Sequence, residues 1–343
     1  MRIISIDAVR GGEILAEAIK NEQNDVLIPA GAVIREDYVP LIKSFGIVSL
    51  KIEDPYRSFE IPHPIMNPEK LGTMVNKVKR LMERHIYHTD FSMKEFEVIA
   101  NELVRQIRDI PENVVYDIES READLYEHTI MVTLLSLIIA KKLQFDEQQL
   151  FYLAIGCLLH DIGIRYITVP YENRDMETGL PAEVFEYKKH TILGYSAVED
   201  EPWIPDICRK IILSHHERAD GSGFPMRQRM KETECRIVQV CDAFDCMISG
   251  MECNRTNVWY AIEQIRQGAG TSYDRKIAQM LVEMVAAYPV GTAVVVGDQK
   301  AGIVVEQTND PNKPVVMIVD EQQNGLLEKY DPVMQPQIVT ACR

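Results

Sequence analysis

The chain has no cysteines paired as CxxC, no long uninterrupted apolar run and no excess of basic charge, and each absence closes off a class of function. The seven cysteines, Cys157, Cys208, Cys235, Cys241, Cys246, Cys253 and Cys342, are scattered and odd in number. They read as buried thiols in a reducing compartment rather than as disulfides or zinc ligands. No stretch approaches the ~18 apolar residues that a membrane span needs. The N-terminus lacks a basic segment followed by an apolar run and a small-residue cleavage site, so a cytoplasmic location and no membrane partner are expected. The formal net charge is −15, the wrong sign for gripping a nucleic-acid polymer by its phosphates. A small anionic substrate is still allowed if bound cations reverse the field locally. What is present, 46% hydrophobic and 26% charged residues over 343 positions, is ordinary for a globular protein of two or three domains.

The patterning changes character twice. Residues 1–56 alternate short β-like runs (Ile3 to Ile6, Asp25 to Ile28, Ile47 to Ile52) with one short helix between Pro40 and Gly46, a small α/β module. A connector with Pro55, Pro62, Pro64 and Pro68 opens residues 57–116, which continue into leading helices. From about 69 to 288 the period is helical. Helices are expected near 70–88, 93–109, 120–143, 147–161, 182–200, 205–216, 234–249, 256–267 and 274–287, the second with a Ser92/Glu95 capping box. From residue 289 the period falls to two. Thr292 to Val296, Gly302 to Glu306 and Val315 to Val319 read as strands, turning at Gly297-Asp298 and at a loop with Pro311 and Pro314, a small antiparallel β module over 289–343. The expected fold class is mainly α, with a strand-containing module at each end.

Inside the helical region lies a run of metal-ligand side chains: Asp124, His128, His160-Asp161, His190, His215-His216 and Asp242. Asp124 and His128 are four apart, so on a helix they share a face that Val132, Leu135 and Ile139 continue as an apolar stripe. Such a pair is either a buried hydrogen-bonded couple or two ligands of a site. His160 and Asp161, about 100° apart around a helix, point at different spots of one site, and the carboxylate has two oxygens with which to bridge two metals. Gly163 then ends the helix and keeps the site's mouth uncrowded. The His215-His216 doublet repeats that geometry after Ile211, Ile212 and Leu213, and Asp242 sits among Val238, Val240, Cys241 and Phe244. An unpaired carboxylate or imidazole in such surroundings is costly. Each signal is weak alone; together they indicate one shared metal site. Oxygen and imidazole donors without thiolate suit manganese or iron, with zinc as an alternative. Two such cations about 3.5–4 Å apart lower the pKa of a bridging water and stabilise an in-line displacement at phosphorus.

The order H, HD, H, HH, D, with GSGFP soon after the doublet, resembles the HD-GYP family, a branch of the HD superfamily of metal-dependent phosphohydrolases. The match covers about residues 117–288, and HHERADGSGFP is its most specific piece. The resemblance implies an HD-type helical bundle core that hydrolyses cyclic di-GMP to pGpG and in some members onward to GMP, with two or three divalent ions. It implies His128, His160, Asp161, His190, His215, His216 and Asp242 as metal ligands, Asp161 bridging, and Asp161, His160 and His216 as the residues closest to the chemistry. Asp124 stands where trinuclear members carry a carboxylate one turn before the first histidine, usually Glu.

Three positions depart from the family pattern. The lysine of HDIGK is Ile164, with Arg165 beside it; the tyrosine of GYP is Phe224, which has no hydroxyl; and the arginine nine residues after the last metal-binding aspartate is Met251, with Arg255 four residues on. Each lost charged contact to phosphate costs about 1.5–3 kcal/mol. Phe224, Arg255 and Lys189 are the residues left to meet substrate. Glu217, Arg218, Asp220 and Arg236 read as braces of the loop and the ligands, Lys188 and Lys189 as a solvated helix face that could also meet a phosphate, His63, His85 and His88 as surface residues, and Met247 and Met251 as core filler. Two alternatives stay open: a degenerate member that senses a cyclic dinucleotide or binds a signalling partner, and a hydrolase of a different nucleotide. The sequence leaves homodimerisation open.

Overall fold

The computed structural model describes residues 2–6, 9, 11–20, 26–45, 47, 49–53, 64–87, 93–111, 114–296, 300–318, 328–330 and 338–341. Gly46, Pro55, Pro62, His63, His88, Ser92, Gly297-Asp298 and Cys342 fall outside them, as does the side chain of His85. The chain divides into two compact units, residues 64–287 and residues 1–63 with 288–343.

In the N-terminal part, β1 (Arg2–Ser5) pairs antiparallel with β4 (Ser49–Ile52), and β2 (Ile19–Lys20) pairs with β3 (Val26–Ile28). The short helix α1 (Val39–Ser44), with Pro40 in its first turn, buries Ile42 against a small core that includes Leu15, Ile34, Leu50 and Ile52. Alternation along β4 puts Leu50 and Ile52 inside and leaves Ser49 and Lys51 half-exposed.

The helical unit comprises α2 (Pro68–Tyr87), α3 (Phe96–Arg108), α4 (Leu125–Lys142), α5 (Glu147–Leu159), α6 (Pro181–Lys188), α7 (His190–Val198), α8 (Asp206–Ser214), α9 (Thr233–Ser249), α10 (Val258–Gly268) and α11 (Arg275–Met284). The architecture is mainly α. Helix α4 is its axis: every residue from His128 to Ala140 is buried, and α2, α3, α5, α9 and α11 pack around it. Thr129 and Thr133 tolerate that burial because each hydroxyl donates to the carbonyl four residues back, both at 2.7 Å. Helix α5 starts at a capping box in which Asp146 accepts from the Gln149 amide and Gln149 from the Asp146 amide.

Two expectations about helix bounds fail for local reasons. The helix placed at 120–143 starts only at Leu125, because Asp124 caps it instead of continuing it. The single helix placed at 182–200 is two, with α7 turning off at Lys189, where no glycine or proline marks the break. A 3₁₀ helix, Ile162–Tyr166, follows α5 and packs on α7. There a Cβ on Gly163 would overlap the His190 carbonyl oxygen and lie 2.6 Å from the Gly194 amide nitrogen. Gly163 thus permits backbone-on-backbone contact between the segments that carry Asp161 and His190.

In the C-terminal part, β5 (Ala293–Val296), β6 (Lys300–Glu306), β7 (Val315–Ile318), β8 (Glu328–Tyr330) and β9 (Ile338–Ala341) form one antiparallel sheet in the order β8-β7-β6-β5-β9. Val294, Val296, Val304 and Val316 turn one face inward. The strands β2, β8 and β9 were not anticipated, since none has enough alternating apolar residues to show the period.

Candidate metal centre

The seven ligand-type side chains are delivered by five helices or helix ends. His128 sits one turn into α4, His160 at the end of α5 with Asp161 next to it, His190 opens α7, His215 and His216 close α8, and Asp242 lies mid-way along α9. Asp161 Oδ2 lies 3.6 Å from His128 Nε2 and 3.5 Å from His160 Nε2, and its Oδ1 lies 3.5 Å from His190 Nε2 and 3.3 Å from His215 Nε2. Asp242 Oδ1 approaches His128 Nε2 at 3.1 Å and His160 Nε2 at 3.5 Å, while its Oδ2 lies 3.8 Å from His216 Nδ1. The donor atoms of Asp161, His190, His215 and His216 form one group, and those of His128, His160 and Asp161 a second, each within 4.8 Å. Asp161 belongs to both.

The rings are aimed by their other nitrogen. Nδ1–H of His160, His190 and His215 donates to the carbonyl three residues back, Cys157 at 2.6 Å, Tyr187 at 2.8 Å and Ile212 at 2.8 Å, which leaves each Nε2 facing the cluster. His128 is held by a carboxylate instead: its Nδ1 lies 2.8 Å from Asp245 Oδ2, whose Oδ1 takes a hydrogen bond from Arg121 at 2.9 Å. Asp245 stands three residues after Asp242 on α9, a spacing that puts both carboxylates on one face. That spacing was the available signal, and sequence reasoning passed it over.

Three buried atoms of the cluster, His160 Nε2, Asp161 Oδ1 and His216 Nε2, have no hydrogen-bond partner. Orphaned buried polar atoms are rare, and three converging lone pairs on imidazole and carboxylate are what a divalent cation requires. The residues present therefore fit a metal centre. The charge states of Asp161, Asp242, His190 and His216 point the same way. Burial opposes ionisation of Asp161 and Asp242, yet the surrounding histidines hold both carboxyls well below the usual carboxylate range. Burial pushes His190 down to about 4 and His216 well below an ordinary imidazole, so both stay neutral, as metal ligands must. Burial disfavours charge on His128 too, but contacts with Asp242 and Asp245 outweigh it and push that ring up to about 10.

The rim is shaped by the loop after α8. A Cβ on Gly223 would lie 2.5 Å from Glu217 Cα and would overlap the His216 carbonyl oxygen, so this position must be glycine for the loop to fold back on the doublet. Glu217 braces the loop by accepting from the amides of Met226, Arg227 and Gln228 at 2.6, 2.9 and 2.9 Å. Phe224 consequently stacks on His216, ring centroids 4.5 Å apart at 17°. Lys188, not Lys189, faces this edge, with Nζ 5.0 Å from the Phe224 ring centre. Lys189 is engaged by Glu186 at 2.6 Å on its own helix. Arg255 lies next to Gly250, and among the described residues the charge felt at its guanidinium is that of Glu122 rather than the cluster's. Ile164 and Met251 are buried side chains, 4% and 2% exposed.

One expected ligand is not brought in. Asp124 is exposed and spends its carboxylate as the cap of α4, Oδ1 accepting from the amides of Tyr126 at 3.0 Å and Glu127 at 2.9 Å. The i,i+4 stacking on His128 does not form because Asp124 precedes the helix. Asp124→Ala is expected to cost about 1 kcal/mol of folding stability, as loss of a cap does, and to leave the metal-to-protein ratio unchanged. A lowered ratio by element analysis would return Asp124 to the centre. Two side chains that were passed over do reach it. Cys246 Sγ lies 3.6 Å from Asp242 Oδ1, and Glu252 Oε2 lies 3.5 Å from His216 Nε2 and accepts from Tyr187 Oη at 2.6 Å. Burial, then the charge of Asp242, raises the Glu252 carboxyl to about 8. The i,i+4 spacing of Asp242 and Cys246 on α9 announces the first contact, whereas no local pattern announces the second.

Residues 125–247 match the HD domain family. The chain is 29% identical over 191 residues to the cyclic di-GMP phosphodiesterase PA4108 of Pseudomonas aeruginosa, covering 53% of this chain and 44% of that one. It is 28% identical over 235 residues to a cyclic di-GMP phosphodiesterase of Thermotoga maritima, covering 64% and 63%. A 3'3'-cGAMP-specific phosphodiesterase of Vibrio cholerae is 22% identical over 213 residues, 60% of this chain and 40% of that one. The match thus spans only part of each of these relatives. Among solved structures, Bd1817, an HDG"Y"P protein of Bdellovibrio bacteriovorus, superposes with a TM-score of 0.53 at 17% identity over 82% of this chain and 97% of that one. Residues 125–247 thus match the HD domain family, and the chain shares its fold with Bd1817.

Proposed function

We propose that residues 117–288 form a metal-dependent phosphodiesterase that hydrolyses cyclic di-GMP to pGpG and onward to GMP. The observation that carries this reading is the convergence of seven ligand-type side chains, with three of their buried atoms lacking partners. Relatives named as cyclic di-GMP phosphodiesterases support the substrate class. His128, His160, Asp161 and Asp242 would hold one ion, and Asp161, His190 and His215 another. Manganese or iron suits these donors best, with zinc the alternative. Ions bound there would supply Lewis acidity at a phosphoryl oxygen and activate a water for in-line attack. Water oxygen bonds to phosphorus, the bond to the ribose O3′ breaks, and that oxygen leaves with a proton. The protein's own part is placement. Backbone carbonyls and Asp245 fix the imidazoles, the Phe224 ring walls the site beside His216, and the Lys188 ammonium stands at the rim where a phosphate would enter.

A second reading is favoured by one observation: Ile164 and Met251 are packed inside, where family members carry cations. Without those phosphate contacts the centre would serve a cyclic dinucleotide sensor. Single-turnover incubation of the anaerobically purified full chain with cyclic di-GMP and Mn²⁺ or Fe²⁺ separates the two. The expected product is pGpG. Bound metal and bound nucleotide with no product would sink the enzyme reading and leave the sensor. Cleavage of 3'3'-cGAMP with none of cyclic di-GMP would reassign the substrate.

A further inference from the structure

Glu252 lies just beyond the end of α9, after Gly250, and its backbone is pinned by the Met176 amide, which donates to its carbonyl at 2.9 Å. Its side chain, 20% exposed, turns back toward the doublet. With His216 and Asp242 it makes a further set of donor atoms all within 4.8 Å of one another, which shares His216 with one of the two sets that contain Asp161. Glu252 approaches one nitrogen of the His216 ring and Asp242 the other, and neither is hydrogen-bonded to it. Glu252 Oε2 is 3.5 Å from His216 Nε2, and Asp242 Oδ2 is 3.8 Å from His216 Nδ1, too far in each case for a hydrogen bond. His216 Nε2 is buried without a partner, in a side chain only 10% exposed. Asp242 divides its two oxygens between the sets, Oδ1 facing His128 and His160 and Oδ2 facing His216. Tyr187 donates its hydroxyl at 2.6 Å to Glu252 Oε2, the oxygen that faces His216, which orients the carboxylate.

We infer that His216, Asp242 and Glu252 form a third divalent-cation position, with Glu252 supplying the carboxylate that Asp124 does not. The inference rests on reading the cluster as a metal centre and adds a ligand to it from the stretch after α9. It assigns the acid at 252 to cation binding rather than to any contact with a phosphate, which a carboxylate would repel.

The test is manganese content and position. The full chain is stripped with chelator, reloaded anaerobically with Mn²⁺ and desalted, and manganese per chain is measured for wild type and for Glu252→Gln, which keeps size and removes the anionic donor. About three ions are expected in wild type and about two in Glu252→Gln, with Asp124→Ala matching wild type. Equal ratios in wild type and Glu252→Gln, or only about two ions in wild type, would overturn the inference. Should the variant fail to fold, anomalous diffraction from Mn²⁺-loaded wild type decides alone: a peak about 2.0–2.3 Å from a Glu252 oxygen supports it, and none there overturns it. The phosphodiesterase reading fails separately. Three ions without cyclic di-GMP cleavage would leave the third position standing, and cleavage with two ions would do the reverse.

Discussion

Asp161→Asn is expected to strip the two ions that share this residue and to lower phosphodiester hydrolysis by about 10³-fold, since Lewis-acid stabilisation is worth several kcal/mol and each 1.36 kcal/mol is a factor of ten. The carboxylate faces His128 and His160 with one oxygen and His190 and His215 with the other. Asparagine fits the same space but presents an NH₂ group to one pair, and that group has no lone pair to offer a cation. The two effects on stability have opposite signs. Removing a buried charge should leave the chelated protein as stable as wild type or more so. The gain in melting temperature on adding Mn²⁺, which follows ligand binding to the native state, should shrink or vanish. Thermal melts with and without Mn²⁺, beside element analysis, check both. A variant that keeps its manganese and its Mn²⁺-dependent stabilisation would show that Asp161 is not shared between ions.

Gly163→Ala is expected to destabilise the helical unit by about 3 kcal/mol or more, the upper end of overpacking costs, lowering its melting temperature by about 6–12 °C. A methyl group there meets backbone on α7 rather than the end of a flexible side chain, so relief requires moving the helix that begins with His190. Folding and metal affinity should therefore fall together. Unchanged melting would mean that the contact between the 3₁₀ turn and α7 gives way freely and does not set the position of His190.

The cluster was legible because its ingredients break a rule that every buried segment otherwise obeys. Histidine and aspartate inside LLHDIGI or RIVQVCDAFD put imidazole and carboxylate into apolar surroundings, a burial that is costly unless they converge on one another or on a cation. Helix positions were equally readable where period and punctuation agree, as for α9 (Thr233–Ser249), which glycine ends at Gly250. What was misread is informative about the physics. Asp124 satisfies two descriptions, ligand one turn before a histidine and N-cap with Glu127 three residues on, and the local bonds to amides at 2.9–3.0 Å decide for the cap. The division of α6 from α7 at Lys189 leaves no trace in composition, because the residue there keeps helical dihedrals (φ −68°, ψ −19°). Asp245 and Cys246 were within reach of the sequence, three and four residues after Asp242 on α9, whereas Glu252 owes its contact with His216 to long-range packing that no window of sequence contains. Lys188 was set aside as solvated face together with Lys189, yet the turn at the start of α7 sends one toward Phe224 and the other toward Glu186.

The most direct measurement is anomalous diffraction at the manganese or iron edge from anaerobically grown crystals of the metal-loaded chain. Peaks are expected on both sides of the Asp161 carboxylate, one among His128, His160 and Asp242 and one beside His190 and His215. A map at full loading with no peak near Asp161, the histidines hydrogen-bonded to one another instead, would contradict the account at its root.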